Sequence, residues 1–244
     1  MSYYRHSPYR PGGGLGLGVP ALTPVTRALM IACGAVWIVQ FLLGPVLRLA
    51  DLSGWLGIVP ALVARGCFWQ PVTYMFLHSP VQISHLILNL LILWMVAGDL
   101  ERHWGGRRFL AYYLVTGVGA GIFVTVTGLL AGASAPTIGA SGAIYGLLLA
   151  YGIIFAERVI LFMFVFPMRA RTLSWILFAI AFFSAWGQSA SGVSHVAHLG
   201  GMVVGWLYLK RFWRLADFWR EIRWKWRRRR FRVETRDDRD PWIH

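Results

Sequence analysis

Apolar residues run along this chain in long blocks, broken by charged or turn-forming residues at only a few places. A helix needs about 20 apolar residues to cross the hydrocarbon core of a bilayer. The twenty uncharged residues between Arg27 and Arg48 predict a first helix. The uncharged stretch from Gly66 to Gly98 is too long for one span. Pro71 and the turn His78-Ser79-Pro80 break it, leaving a second helix over 83–98. The run 109–156 holds two helices, near 109–131 and 141–156, divided at Gly132-Ala133-Ser134-Ala135-Pro136. The run 172–209 divides at Gln188-Ser189-Ala190-Ser191-Gly192 into helices near 172–188 and 193–209. The pattern predicts an all-α, polytopic membrane protein with six transmembrane helices. Its expected organisation is a flexible N-terminal arm over 1–24, a membrane domain over 25–209 and a tail over 210–244. The arm is polar and Pro/Gly-rich, from Tyr3-Tyr4-Arg5 to Gly12-Gly13-Gly14, and does not read as a cleaved signal peptide.

Composition agrees with this pattern. Of 244 residues, 57% are hydrophobic and 14% charged, where an ordinary soluble domain carries about 25% charged residues. A soluble globular domain and a disordered chain are both excluded. The formal charge of +14 would suit a nucleic-acid binder, but its distribution argues otherwise. Residues 28–209 hold eight Arg and four acids, whereas residues 210–244 hold thirteen Lys/Arg and six acids. Lys and Arg accumulate in cytoplasmic loops. Six helices put the arm, loop 99–108, loop 157–171 and the tail on one side, with 22 of the 24 basic residues. Only Arg48 and Arg65 fall on the other side. Both termini are therefore expected in the cytoplasm, and no nucleic-acid partner is expected. The tail interleaves Trp213, Trp219, Trp224 and Trp226 with basic residues, a composition suited to anionic lipid. The first loop on the opposite side, 49–82, carries Trp55, Leu56, Val59, Leu62, Phe68 and Trp69 and is expected in the membrane interface. Cys33 and Cys67 form no CxxC pattern and read as small apolar residues.

In such a chain, polar groups inside helices carry the information, because ionisable residues in a bilayer mark function. The second helix opens with His85 and Asn89, which share a face at i,i+4. The fourth opens with Ser141 and Gly142, after Gly139-Ala140, and carries Tyr145 at i,i+4 from the serine. Ser141 lies in a first helical turn, where free backbone N–H groups and the helix dipole favour developing negative charge. The sixth holds His195 and His198, then Gly201 and Gly205 on the face of His198. Gly-xxx-Gly spacing allows close helix approach, and the Ser141 helix is the expected partner. All three groups lie toward the same, non-cytoplasmic side. Ser141 as nucleophile, His198 as base and His85 with Asn89 as oxyanion donors would complete an acyl-transfer site. No acid lies at that depth, so the site would be a dyad, with Tyr145 packed on the imidazole. His195 reads as structural. Zinc on His85, His195 and His198 is the weaker idea, since no HExxH motif and no intramembrane carboxylate accompany them. No metal or other cofactor is expected.

These residues resemble the rhomboid family of intramembrane serine proteases. The resemblance covers about 25–210, in the family's order. It rests on Trp69, His85-xxx-Asn89, Gly139-Ala140-Ser141-Gly142 with Tyr145, and Ala197-His198-xx-Gly201-xxx-Gly205. It implies a six-helix rhomboid-like bundle that cleaves single-span membrane substrates near the ends of their transmembrane helices, often after a small residue. It also implies Ser141 and His198 as the dyad, His85 and Asn89 in the oxyanion hole, and a bacterial inner (plasma) membrane location. One departure is Gln70, where many members carry Arg. The alternative is a catalytically silent rhomboid-like protein that binds transmembrane helices. The presence of both Ser141 and His198 argues against it.

Overall fold

The computed structural model describes residues 22–162, 165–186 and 195–210. Most of the predicted arm, the turn at Gln188–Gly192 and the tail beyond 210 lie outside the described residues. By its internal contacts the chain divides into one unit through Trp206 and a second from Leu207. Only the last helical turn, 207–210, of the second unit is described.

The first unit is mostly helical. Helix α1, Pro24–Phe41, runs into a π-helical turn over Leu42–Val46 that contains Pro45. Three short helices follow in the predicted interfacial loop: α2, Leu52–Leu56; α3, Pro60–Ala64; and α4, Gln70–Thr73. Then come α5, Ile83–Trp104; α6, Gly106–Ala131; α7, Ser141–Ile154; α8, Ala170–Trp186; and α9, 195–210. Among the described residues three helical segments are long and apolar enough to cross a membrane: Pro24–Val46, Ile83–Trp104 and Gly106–Ala131. The α7 and α8 helices are shorter apolar helices.

Two expectations need correction. Loop 99–108 is not a loop, because α5 continues through its charged residues to Trp104 and α6 starts at Gly106. The reversal is made at Gly105, whose φ of +79° is a left-handed conformation that suits glycine. The charges there sit on helix ends, where a count of uncharged residues cannot see helix continuing. The chain is also not purely helical. Between α7 and α8, β1 (Val159–Phe162) pairs antiparallel with β2 (Phe166–Arg169), Ile160 opposite Met168 and Phe162 opposite Phe166.

Glu101, near the end of α5, fastens the start of α1. Pro24 opens α1 with no side-chain cap from Thr23, so the free N–H groups of its first turn need acceptors. The buried Glu101 carboxylate supplies them. It accepts from the Val25 N–H at 3.0 Å, the Thr26 N–H at 2.8 Å and the Thr26 hydroxyl at 2.9 Å, and also from the Thr23 hydroxyl. A charge that counts as a loop marker in the sequence thus ties the first membrane helix to the second.

The α7 helix is the centre of the unit, packing against α5, α6 and α8. Glycines let its neighbours come to backbone contact. A Cβ on Gly201 of α9 would stand 1.9 Å from the Gly142 carbonyl oxygen, and one on Gly146 would stand 3.1 Å from the Gly201 oxygen. Gly205 faces another helix, α6, since a Cβ there would meet the Tyr112 hydroxyl at 2.4 Å. That hydroxyl donates to the Gly146 carbonyl at 2.8 Å. The Gly-xxx-Gly pair of α9 is therefore divided between α7 and α6, not spent on α7 alone. On the other side of α7, the Ser174 hydroxyl of α8 donates to the Leu148 carbonyl at 2.5 Å.

Two stability predictions follow from this packing. Glu101→Gln keeps the volume and removes the charge from a set of charge-assisted hydrogen bonds, costing about 1–3 kcal/mol. The thermal midpoint of the detergent-solubilised protein should fall, and an unchanged midpoint would contradict the capping role. Gly201→Ala drives a methyl into a backbone carbonyl that cannot rotate away, with a cost of about 1–3 kcal/mol for overpacking. The comparison is Gly34→Ala in α1, where a Cβ meets nothing within 4 Å and helix propensity favours alanine. The first variant should lower the midpoint and the second should not.

Candidate active site

The chain before Ser141 is held by the interfacial loop. Ile58 and Thr137 exchange both backbone hydrogen bonds at 2.9 Å, forming an isolated β-bridge. The Gly139 N–H donates to the Tyr74 carbonyl at 2.9 Å, and the Tyr74 hydroxyl donates to the Gly117 carbonyl of α6 at 2.7 Å. Gly139 has φ +124°, where other residues are strained. A Cβ on it would lie 2.9 Å from His85 Nε2. Both facts account for glycine at this position, and the second puts the His85 imidazole against the segment that leads into the serine. Helix α7 then begins with Ser141 itself.

Gln70, the departure from the expected arginine, lies at the root of this loop. It is fully buried. Its Oε1 accepts from the Val59 N–H at 2.9 Å, and its Nε2 donates to the Trp55 carbonyl at 3.2 Å. Trp69 also donates, through Nε1, to the Trp55 carbonyl at 3.1 Å. The amide thus ties α4 to the Trp55–Val59 segment of the loop, with Val59 next to the Ile58 bridge. Sequence reading missed Tyr74 and this use of Gln70. A buried tyrosine in an apolar loop has no spacing signal, whereas an amide beside Trp69 was visible as an oddity.

The predicted pair does come together. His198 Nε2 lies 2.8 Å from Ser141 Oγ. Tyr145, one turn beyond the serine, stacks flat on the imidazole with centroids 4.0 Å apart and planes 4° from parallel. Stacking and the Gly142–Gly201 contact fix the ring from two directions. His198 is buried, and its Nδ1 has no hydrogen-bond partner among the described residues. His195 stands edge-on to His198, centroids 5.8 Å apart, with a buried Nδ1 likewise unpartnered.

The other two predicted residues are placed differently from each other. His85 borders Gly139, and its Nδ1 faces the Ser79 N–H at 3.4 Å. Asn89 is buried one turn below, with Nδ2 donating to the His85 carbonyl of its own helix at 2.7 Å. A side-chain bond to the backbone one turn back competes with an outward-pointing amide. Behind His85 stands His78, with ring centroids 5.2 Å apart. Burial, with His85 adding to it, holds the His78 imidazole down at about 4, so it is neutral at pH 7. No group of three or more His, Cys, Asp or Glu suited to a metal occurs among the described residues.

Chemically, the arrangement offers a hydroxyl in contact with an imidazole at the positive end of a helix, bordered by a second imidazole. Comparison with known proteins identifies the family. A family model for the rhomboid domain matches residues 65–215. Rhomboid protease GluP of Bacillus subtilis is 32% identical over 146 residues, which is 59% of this chain and 26% of that protein. Rhomboid protein 1, mitochondrial, of Saccharomyces cerevisiae is 30% identical over 137 residues, 53% of this chain and 38% of that protein. Rhomboid protease GlpG of Yersinia pseudotuberculosis is 25% identical over 190 residues, 78% of this chain and 62% of that protein. The aligned part thus spans from about a quarter to about three-fifths of these relatives. The match embraces Trp69, the α5 pair, the Ser141 segment and α9, and the chain belongs to the rhomboid family, whose domain is a polytopic helical membrane bundle.

Proposed function

We infer that the protein is an intramembrane serine endopeptidase that cleaves transmembrane-helix substrates with Ser141 and His198. The observation that carries this reading is the 2.8 Å contact between Ser141 Oγ and His198 Nε2 under the flat Tyr145 stack. With its proton on Nδ1, His198 accepts the serine proton at Nε2 while Oγ bonds to the substrate's carbonyl carbon. The carbonyl oxygen becomes an oxyanion beside the first-turn N–H groups of α7, with His85 and Asn89 as further donors. For Asn89 this requires its amide to leave the His85 carbonyl when substrate is bound. The C–N bond then breaks, and protonated His198 returns its proton to the leaving amine. Water, deprotonated by His198, releases the acyl chain and regenerates the serine. No carboxylate is needed to orient the base, because Tyr145 and the helix contact hold the ring.

The six helices α1, α5, α6, α7, α8 and α9 are read as the six spans, with both termini in the cytoplasm. This reading rests on the distribution of Lys and Arg. The expected location is a bacterial plasma membrane and the expected substrates are single-span proteins. Binding of anionic lipid by the basic, Trp-rich tail belongs to the same reading. Water reaches Ser141 from the non-cytoplasmic side, since the serine opens its helix there.

The test is cleavage of a single-span substrate in proteoliposomes, together with labelling by a fluorophosphonate. Wild type should do both, and Ser141→Ala and His198→Ala should cleave at background level. Equal cleavage by wild type and Ser141→Ala overturns the reading. An intact wild type that neither cleaves nor labels would instead be a silent helix-binding protein. His85→Ala, as loss of one oxyanion donor, should lower kcat by about 10²–10³ while leaving the thermal midpoint near that of wild type. An unchanged kcat would remove His85 from the oxyanion site.

A further inference from the structure

The β1–β2 hairpin is not used by the proposed chemistry. From Val159 to Met168 the sequence contains no polar side chain. Pairing leaves three of them largely exposed: Val159 is 51% exposed, Val165 66% and Phe166 59%. A two-stranded ribbon has two faces and little interior, and among its described residues only Ile160 is buried. In water such a ribbon would be an aggregation-prone edge with a continuous apolar surface.

Its attachment dictates what meets that surface. The α7 helix rises about 21 Å from Ser141 to Ile154, so the hairpin emerges at the membrane face opposite the candidate site. On its other side, β2 ends at Arg169 and α8 starts at Ala170 with no linker. The base is closed by Ala170 N–H donating to the Arg158 carbonyl at 2.8 Å. Arg158 in turn pairs with Asp99 of α5, which fastens the hairpin to the bundle. The ribbon cannot leave the membrane surface, and α8, which follows it without a linker, exposes the apolar side chains Trp175 and Ile176. Among the described residues its outer backbone edges have no further strand partner, which bars it from the hydrocarbon centre. The boundary between headgroups and acyl chains satisfies both constraints. Arg169 and Arg171, both pairing with Glu157, lie at the base, where long basic side chains reach the headgroups.

We propose that the β1–β2 hairpin is a lipid-binding wedge that inserts Val159, Val165 and Phe166 among the acyl chains of the leaflet opposite Ser141. The inference rests on reading α7 and α8 as membrane spans, and the test separates the two. Single cysteines are placed at Val165→Cys, at Ile180→Cys in α8 and at Arg107→Cys at the exposed start of α6. All are made in a Cys67→Ala background that keeps the buried Cys33. Each is labelled with an environment-sensitive fluorophore in the full-length protein, reconstituted in phosphatidylcholine–phosphatidylglycerol vesicles. The label at 165 should be quenched by nitroxides on shallow acyl carbons. Its quenching by aqueous iodide should be several-fold weaker than at 107. Iodide quenching at 165 equal to that at 107, with 180 quenched by lipid nitroxide, overturns the wedge and leaves the spans standing. Protection of 165 from both quenchers also overturns it, since a protein surface then covers the hairpin. Iodide access at both 165 and 180 overturns the span reading and the wedge with it.

Discussion

The structure depends on one contact, the meeting of α7 and α9 at Gly142 and Gly201. No side chain separates the two backbones there. Ser141 precedes this contact on α7 and His198 lies one turn before it on α9. The distance between hydroxyl and imidazole is therefore set by backbone packing, not by flexible side chains. Helix association in lipid has little hydrophobic drive and relies on close van der Waals approach. The same small residues thus supply the packing energy and the registration of the site. Tyr145 adds a flat wall that fixes the plane of the imidazole.

A second layer of control comes from outside the helices. The interfacial loop is tied to the segment before Ser141 by the Ile58–Thr137 bridge and the Gly139–Tyr74 hydrogen bond. Tyr74 reaches on to α6, and His85 of α5 stands against Gly139. The entry to α7 is consequently clamped by three separate parts of the chain. Such clamping would hold a proposed nucleophile in place although it begins its helix.

The site was more legible in the sequence than the fold around it. Ser141 with Tyr145, and His198 with Gly201, follow from helical period once the polar residues are seen to be rare. Gly205 was misassigned because period gives a face without saying which neighbour fills each part of it. The amide of Asn89 shares the predicted face with His85, but its local bond to the His85 carbonyl has no sequence signature. Division of the chain at charged residues missed the helical passage through Asp99, Glu101 and Arg102, since charges at helix ends look like loops. It also hid the hairpin, because a short apolar run between basic residues carries no 3.6-residue pattern and no turn signal. The short helices α2 to α4 are below the length at which periodicity can be read.

Gln70 shows what a neutral anchor changes. Its side-chain hydrogen bonds hold the loop through an amide that never ionises and has no counter-ion to lose. A guanidinium at this position would feel the salt concentration and the surface potential of the bilayer. With an amide, the grip on the loop is decoupled from ionic strength and from the anionic lipid content of the membrane around it.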